Sequence, residues 1–471
     1  MKCFLSPLLL LCVAAALPLA TALPLHVENT ALERAAGPVG TDLVMQTALD
    51  TISHGRNHNG DSFFVTSLPV LVERFRLWQR HLPFIKPYYA VKCNPDPQMV
   101  RVLGTLGAGF DCASMAEQRL VLDAGIDPSR IIYANPAKQP SHIMFARDHK
   151  VDLTVVDSVF EVEKLARLHP EGSVLVRIIT DDRNASTQLS NKYGAPLATA
   201  KNILDVAKTK HLRVRGVAFH VGSGQSSVHA YTLALQHAKE LFVYASGLGI
   251  EMDTLDIGGG FPGNDEGKIS FATIAIHIKK SLGDIFGDAD ADKKLPKTLR
   301  ILAEPGRYFA QQVHTLAVGV IAKRFANNPD GSVIEAARSR PHTMLYLNDG
   351  IYGNLNNIVL DDAEPHFEVA LRHDRRSAAT CPTSLWGPTC DGLDRITNDR
   401  YVRTNKMEIE LPCDLGPGDW MITRNQGAYT RSGVSDFNGM RPTASNVYIP
   451  PRDGTLTPHD FWAHLDPGTP E

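Results

Sequence analysis

The sequence predicts a (β/α)8 barrel, a TIM-like α/β fold, followed by a separate β-rich domain. Between about residues 64 and 309, short apolar runs rich in β-branched residues alternate with stretches of helical periodicity. This alternation repeats eight times, which fits a closed barrel better than an open sheet. After Phe309 the pattern changes to strand-like runs separated by turn residues, which indicates a C-terminal domain of β-sandwich or β-barrel architecture.

Eight strand-like segments carry the barrel prediction. Each ends in polar or glycine residues and is followed by helix-forming sequence. Barrel active sites are built at the carboxyl ends of the strands, so these segment ends form the candidate site. The segments are 87–94, 107–114, 130–136, 152–158, 173–179, 215–224, 253–263 and 300–308.

The rest of the chain divides around the barrel. We expect residues 23–63 to join residues 310–450 in the β domain. Residues 451–471 are rich in proline, glycine and charge, which predicts a flexible tail.

Residues 1–22 have the pattern of a secretory signal peptide. Lys2 supplies positive charge, an apolar run follows to Leu19, and Ala20-Thr21-Ala22 presents the small residues that signal peptidase accepts. A membrane anchor is the alternative, and the small residues at its end argue against it. The prediction is a secreted chain or one within the secretory pathway, and a cytoplasmic chain if the leader is not functional.

Composition excludes several classes of function. Hydrophobic residues make up 43% and charged residues 21% of the chain, as in ordinary globular proteins. A formal net charge of −3 with mixed signs gives no reason to expect binding to nucleic acid or to an anionic membrane. The expected ligand is therefore a small molecule.

The cysteines downstream of the leader are Cys93, Cys112, Cys381, Cys390 and Cys413. Their odd number and the lack of a CxxC pair predict neither a disulfide framework nor a zinc site, and we expect no metal. Asn184-Ala185-Ser186 is a glycosylation acceptor sequence if the chain enters the secretory pathway.

Lys92 is the first candidate for chemistry. It follows Tyr88-Tyr89-Ala90-Val91, and a lysine inside an apolar strand is costly unless it has a use. A desolvated lysine has a lowered pKa and can form a Schiff base with an aldehyde. Taken alone, Lys92 would more often be a snorkelling or ion-paired side chain.

Neighbouring strand ends favour the chemical interpretation. Gly258-Gly259-Gly260 follows the seventh strand, where backbone N–H groups can approach a phosphate, and Arg307 can add a charged fork. Glu304 suits pyridoxal 5'-phosphate (PLP), whose protonated ring nitrogen needs an acidic partner; a structural ion pair is the alternative. His220 would stack on a flat cofactor ring or be a satisfied core histidine.

The resemblance of the chain to a known family rests on nine motifs in order. AVKCN, GFDCAS, RIIYANP, FHVGSG, LDIGGGFPG, AEPGRY, NDGIYG, WGPTCDGLD and GAYT resemble those of eukaryotic-type ornithine decarboxylases, which are PLP enzymes of fold type III. The resemblance runs from about Phe64 to Gly439. It implies decarboxylation of L-ornithine to putrescine and carbon dioxide, in polyamine biosynthesis, by a homodimer with shared active sites.

The resemblance also implies a role for each matched residue. Lys92 would hold PLP as a Schiff base, Glu304 would pair with the pyridine nitrogen, and His220 would lie on the ring face. Cys390, contributed by the second subunit, would donate a proton to the substrate carbon after carbon dioxide leaves. Cofactor binding would use Lys92, Asp111, Arg177, His220, Ser223, Gly259, Gly260, Glu304, Arg307 and Tyr429, with Glu117 in support.

Substrate binding is implied at Asp361 and Asp391, which would hold the distal ammonium. The family usually has an aromatic residue before this first aspartate and a histidine after it, whereas this chain has Leu360 and Asp362. An additional acid at Asp362 either accommodates a longer or differently substituted basic substrate or faces solvent, and solvent is favoured. The alternative substrates are a related basic amino acid, such as lysine, arginine or diaminopimelate, and an intermediate of alkaloid biosynthesis.

Two other functions compete with decarboxylation. A non-catalytic regulatory homologue would have lost the cofactor lysine or the cysteine–aspartate pair, yet Lys92, Cys390 and Asp391 are all present. A racemase of the same fold would place an arginine at the pyridine nitrogen, and Glu304 argues against that.

Overall fold

The computed structural model describes residues 43–54, 60–287, 298–326, 332–333, 335–336, 340–371, 379–397, 408–442 and 445–449. The predicted leader 1–22 and the predicted tail 451–471 lie outside these residues. Among the described residues, no helix has the length and apolar character needed to cross a membrane.

Eight parallel strands close into a barrel, and the predicted fold class is confirmed. The barrel closes where Ile85, Lys86 and Pro87 pair with the last strand. All eight predicted strand-like segments contain or overlap a barrel strand. Strand β1 (Phe63–Ser67) precedes the barrel, whose strands are β2 (Ile85–Ala90), β3 (Gly109–Cys112), β4 (Ile131–Tyr133), β5 (Leu153–Val156), β6 (Ser173–Arg177), β7 (Arg213–Ala218), β8 (Thr254–Asp256) and β9 (Arg300–Ala303).

Helices surround the barrel and begin where strand ends supply a capping residue. Asp96 accepts hydrogen bonds from the backbone N–H groups of Gln98 and Met99, and Ser114 and Ser158 cap the helices that follow β3 and β5. The helices are α1 (Leu68–His81), α2 (Pro97–Thr105), α3 (Met115–Asp123), α4 (Pro140–Asp148), α5 (Val159–Leu168), α6 (Leu197–Thr209), α7 (His229–Gly247), α8 (Phe271–Phe286) and the short α9 (Arg307–Ala310). Residues 43–54 are also helical.

A second sheet of mixed direction forms the β domain. Its strands follow the order β14-β17-β10-β13-β15-β16, and β1 joins it by pairing with β10 and β18. The strands are β10 (His314–Phe325), β13 (Thr343–Leu347), β14 (Phe367–Leu371), β15 (Thr380–Trp386), β16 (Ile409–Pro412), β17 (Trp420–Thr423) and β18 (Asn446–Ile449); β11 (Glu335–Ala336) and β12 (Arg340–Pro341) form a separate pair, and α10 (Asn357–Leu360) precedes β14.

One disulfide corrects the expectation drawn from the cysteine pattern. Cys381 in β15 is bonded to Cys413, directly after β16, with Cα atoms 5.0 Å apart. The two residues are 32 positions apart in sequence, so only the antiparallel pairing of β15 with β16 brings them together. Cys93, Cys112 and Cys390 are free thiols.

An aromatic cluster holds the segment after β9 in place. Trp78 of α1 packs edge-on against Phe261 and Tyr308, and its ring stacks on Phe271. Trp78 and Tyr308 are almost completely buried, and each such side chain stabilises the fold by roughly 1.5–3 kcal/mol. Because Arg307 directly precedes Tyr308, this packing fixes the position of a predicted cofactor ligand.

Candidate active site

A cavity of about 860 Å³ opens at the carboxyl ends of the barrel strands. Seven residues with predicted roles line it: Lys92, Glu117, Arg177, His220, Ser223, Asp361 and Tyr429. Other predicted cofactor residues contact this lining: Asp111 pairs with Lys92, Arg307 donates to Ser223, and Gly259 lies against His220. Residues from six separate strand ends and from the β domain therefore meet in one place.

Lys92 lies in a 3-10 turn, Val91–Cys93, just beyond the end of β2. Its ammonium group is 3.4 Å from the Asp111 carboxylate, and its side chain is 44% exposed while that of Asp111 is 1% exposed. The Asp111 charge raises the pKa of Lys92, outweighing the burial that lowers it. The expectation of a desolvated lysine with a lowered pKa is thus wrong, because the aspartate on the neighbouring strand stabilises the charged form.

Two further buried acids, Glu304 and Asp256, lie close to Asp111. Burial, followed by the charges of Asp256 and Asp111, raises the pKa of Glu304 well above its usual value. Burial also raises the pKa of Asp256 to about 6. One buried oxygen of Asp111 and one of Asp256 have no hydrogen-bond partner. Burial beside these charges therefore favours the protonated form of Glu304, and the cluster has acceptor oxygens available for a ligand.

His220 follows β7 and is held as a neutral ring. Its Nδ1 accepts a hydrogen bond of 3.0 Å from the Gly222 backbone N–H. Burial, with the nearby positive charges of Arg177 and Lys92, lowers the pKa of His220 well below its usual value. A neutral imidazole that lines the cavity can lie against a flat ring, and the core-histidine alternative does not describe its position.

Glycines make close backbone approach possible at one end of the cavity. A Cβ atom on Gly259 would lie 2.6 Å from His220 Nε2, and one on Gly260 would lie 2.8 Å from the Gly222 carbonyl oxygen. Gly260 also has φ +102°, a conformation that other residues rarely adopt. Side chains at these positions would fill the space beside His220.

Arg307 and Ser223 are polar residues at the same end of the cavity. The Arg307 guanidinium donates a hydrogen bond of 2.9 Å to Ser223 Oγ, and it lies 5.1 Å from the centre of the Tyr429 ring. Tyr429 has φ +55°, and its backbone N–H donates to the Cys93 carbonyl oxygen at 2.9 Å. The β domain is thereby tied to the residue that follows Lys92.

Asp361 forms a bidentate ion pair that the sequence did not indicate. Its two oxygens accept hydrogen bonds of 2.6 and 2.7 Å from the Arg307 guanidinium, and its side chain is 8% exposed. Burial lowers the pKa of Arg307, but this pair outweighs it and raises that pKa. Of the departures beside it, Leu360 lines the cavity with 65% exposure, whereas Asp362 is exposed and takes φ +50°.

Glu117 and Arg177, the two remaining predicted residues of the barrel, lie in the wall of the cavity. At the start of α3, the Ser114 hydroxyl oxygen accepts from the Glu117 N–H, and the Glu117 carboxylate accepts from the Ala113 N–H at 2.6 Å. Arg177 ends β6 and lies 5.6 Å from the Tyr193 ring centre.

Cys390 and Asp391 do not line this cavity. Cys390 is exposed, and its backbone N–H donates to Asn438. The Asp391 carboxylate accepts from the Tyr352 hydroxyl at 2.5 Å and from the Leu393 N–H at 2.9 Å. Within one subunit, the structure separates this predicted pair from the other site residues.

The residues present fit PLP. Lys92 offers an amine for the aldehyde, and the proton-retaining Glu304 suits a pyridine nitrogen. The glycines, Ser223 and Arg307 form a cradle with the donors that a phosphate needs.

Some residues of the site were not identified from the sequence. Asp256 is the most important, since its charge helps to raise the pKa of Glu304. Asp256 ends the strand that precedes the three glycines, and this position could have identified it as a site residue. Asn135 and Tyr193 also line the cavity. Tyr193 lies in the loop after β6, where no periodicity indicates which side chains turn inward.

Comparisons with known proteins agree with this geometry. Residues 68–311 match the family model described as pyridoxal-dependent decarboxylase, pyridoxal binding domain. The chain is 41% identical to antizyme inhibitor 2 of Xenopus laevis, over 86% of this chain and 85% of that protein. It is 40% identical to ornithine decarboxylase of Rattus norvegicus, over 82% and 80%.

A solved structure shares the fold across both domains. The Paramecium bursaria Chlorella virus arginine decarboxylase bound to agmatine is 32% identical, with a TM-score of 0.73. The alignment covers 85% of this chain and 98% of that one.

Proposed function

Because the chain belongs to the pyridoxal-dependent decarboxylase family, with PLP as cofactor and a basic amino acid as substrate, we propose that its substrate is L-ornithine. The products are putrescine and carbon dioxide. The observation that carries the proposal is the meeting of Lys92 and the acidic Asp361 in one cavity, with the buried Glu304 close enough to Lys92 for its charge to act on that lysine. Such a cavity suits a substrate that is cationic at its far end.

Bound PLP supplies an electron sink for the pair of electrons that the departing carboxylate leaves behind. Lys92 holds the cofactor covalently, and Asp111 at 3.4 Å orients its amine. Glu304 holds a proton at the pyridine nitrogen, since burial beside Asp256 and Asp111 favours proton retention in this corner. Neutral His220 covers one ring face and adds no positive charge there.

Arg307 is shared between two anions in this proposal. In the structure it pairs with Asp361 and donates to Ser223. Arg307 would also hold the cofactor phosphate, because the two parallel N–H groups that bind the Asp361 carboxylate match a phosphate equally well. Asp361 lines the same cavity, and its carboxylate is proposed to hold the distal ammonium of ornithine.

A partner subunit completes the proposed site. Cys390 and Asp391 lie on an exposed loop away from the cavity of their own subunit. Exposed apolar side chains accompany this loop, Leu393 at 40%, Phe437 at 41% and Met440 at 46%, and Leu360 is 65% exposed at the cavity. Exposed apolar residues grouped in this way favour a subunit contact. We propose a homodimer in which Cys390 of the partner subunit donates the proton to the substrate carbon.

Amine production tests the proposal. The purified chain, loaded with PLP, is offered L-ornithine, L-lysine, L-arginine and diaminopimelate separately. We expect putrescine from ornithine as the fastest reaction, and its loss in Lys92→Ala with the fold retained by circular dichroism. A faster reaction with another substrate contradicts the ornithine assignment. It would favour a role for Leu360, which is smaller than an aromatic residue and lines the cavity.

A non-catalytic regulatory role is the second candidate. The 41% identity to antizyme inhibitor 2 favours it. The presence of Lys92, Glu304 and Cys390 favours catalysis instead. Failure to form any amine while PLP is bound would support the regulatory role.

A further inference from the structure

Two features of the chain have no part in decarboxylation: the Cys381–Cys413 disulfide and the exposed acceptor sequence at Asn184. We propose that the chain matures in an oxidising secretory compartment, where this disulfide forms and Asn184 receives an N-linked glycan. The inference goes beyond the proposed function and does not depend on which substrate is used.

The Cys381–Cys413 disulfide favours maturation in an oxidising compartment. Cys381 is 3% exposed and pairs in register with Leu411, two residues before Cys413. The bond therefore joins β15 to the turn after β16 within folded structure. Disulfides of this kind persist in oxidising compartments and are rare where glutathione keeps thiols reduced. Cys390 lies in the loop that follows β15 and remains a free thiol.

Asn184 lies in an exposed turn, where a glycan can be attached. The Ala185 N–H donates to the Asp182 carbonyl oxygen at 3.0 Å, which places Arg183 and Asn184 at the tip of a turn. The Asn184 carbonyl oxygen accepts from the backbone N–H and the hydroxyl of Ser226, at 3.1 and 2.8 Å. The backbone is thus held against the barrel while residue 184 is exposed. An exposed residue in a turn of this kind is accessible to a modifying enzyme.

The predicted leader at residues 1–22 supports the same inference, and it comes from the sequence alone. It accounts for both modifications, since only a translocated chain meets the enzymes that make them. A cytosolic chain would have no use for the acceptor sequence and would lose the disulfide.

Both steps balance chemically. The thiols of Cys381 and Cys413 lose two protons and two electrons, and a disulfide of the thiol–disulfide oxidoreductase class is reduced to a dithiol. For the glycan, the Asn184 amide nitrogen bonds to the anomeric carbon of a lipid-pyrophosphate-linked oligosaccharide. The bond from that carbon to the pyrophosphate oxygen breaks, the lipid pyrophosphate leaves, and the amide loses one proton.

The glycan is tested by expressing the full chain in a eukaryotic cell line. Treatment with peptide-N-glycosidase should remove one glycan and convert Asn184 to aspartate, as detected by peptide mass. Asn184→Gln and Ser186→Ala should lack the glycan, whereas Ser186→Thr should retain it. Asn202→Gln, an exposed asparagine outside any acceptor sequence, is the matched control and should remain glycosylated.

The disulfide is tested on the same material by alkylating thiols before and after reduction. We expect one cross-linked peptide pair, Cys381 with Cys413, and alkylation of Cys390 without reduction. A chain that starts at Leu23 and stays in the cytosol should carry neither modification. Absence of the glycan or of the disulfide from the full chain overturns the proposal. Neither readout depends on amine production, so a failure here is distinct from failure of the proposed reaction.

Discussion

Individual acids set the protonation states on which the chemistry of this protein depends. Asp111 lies 3.4 Å from Lys92 and favours the charged form of that lysine, while burial beside Asp256 and Asp111 favours the protonated form of Glu304. The two effects have one cause, because negative charges confined in a buried site stabilise a cation and destabilise a further anion. Each can be tested by a substitution that removes charge and preserves shape.

Asp111→Asn should change the pH dependence of PLP uptake. Since Asp111 raises the pKa of Lys92, its removal should lower that pKa and leave more neutral amine at a given pH. We expect the midpoint of the uptake rate, followed by absorbance in apo-protein, to move to lower pH by about one unit or more. The exposed Asp123→Asn should leave it unchanged. An unmoved midpoint in Asp111→Asn would contradict the assigned cause.

Glu304→Gln should retain the fold and lose turnover. The amide cannot hold a proton at the pyridine nitrogen, so we expect kcat to fall by about 10²-fold or more at equal PLP content. Steady-state kinetics after measuring bound PLP provides the comparison. Exposed Glu251→Gln serves as the control. Near-normal kcat in Glu304→Gln would remove Glu304 from the reaction.

Short elements at the domain boundary keep the Lys92 turn in place. Asp96, four residues after Lys92, caps α2 through one oxygen. Its other oxygen accepts from Asn446 at 2.6 Å and from the Tyr448 hydroxyl at 2.8 Å, both in β18. Asp96 is completely buried. The end of the β domain is therefore bonded to the loop that positions the cofactor lysine.

Asp96→Asn should weaken this connection. An amide retains one acceptor for the cap but places an N–H₂ group against the donors of Asn446 and Tyr448. We expect the free energy of unfolding to fall by about 1–3 kcal/mol, measured by urea denaturation. Asp127→Asn, which alters the cap of an exposed 3-10 turn, should change it little. Equal stability of Asp96→Asn and the parent would show that β18 does not hold the loop.

His314 at the start of β10 should make the protein sensitive to acid. It is 1% exposed, its Nδ1 lies 2.7 Å from Thr66 Oγ1 in β1, and burial lowers its pKa to about 4. The unfolded chain takes up this proton near pH 6.5, so stability falls between about pH 6.5 and pH 4 and then levels off. This group should contribute a loss of about 3 kcal/mol over that range.

Urea denaturation at pH 7 and pH 4.5 measures this effect. His314→Gln should show a smaller loss between the two pH values than the parent, whatever its stability at pH 7. Exposed His366→Gln should behave as the parent does. An equal loss in all three proteins would mean that other groups titrate over this range.

At the scale of the whole molecule, one subunit holds two parts of the proposed site that do not meet within it. Lys92 lies in the cavity, whereas Cys390 is exposed on a loop that does not line it. A homodimer resolves this separation if each cavity receives the loop of the other subunit.

Mixing two inactive variants tests this arrangement. Lys92→Ala and Cys390→Ala homodimers should each be nearly inactive. Random mixing of subunits should restore up to about a quarter of parental activity, because half of the dimers are mixed and each has one intact site. Mixing each variant only with itself provides the baseline. If mixed subunits gain no activity while dimers exchange, the sites are not shared.

The barrel and most members of the site could be predicted from the amino-acid sequence. Strand-like runs alternating with helical periodicity depend on local burial, so all eight barrel strands could be located. Parallel strands of a barrel end on the same face, so polar residues at those ends, including Lys92 and Glu304, could be grouped before any contact was seen.

The contacts between segments distant in sequence could be known only from the folded chain. Arg307 and Asp361 are 54 residues apart, and Cys381 and Cys413 are 32 apart. The charge on Lys92 likewise depends on Asp111, one strand away. Periodicity records which side of an element is buried, but ion pairs, disulfides and pKa values depend on distances through space that the packing of the chain sets.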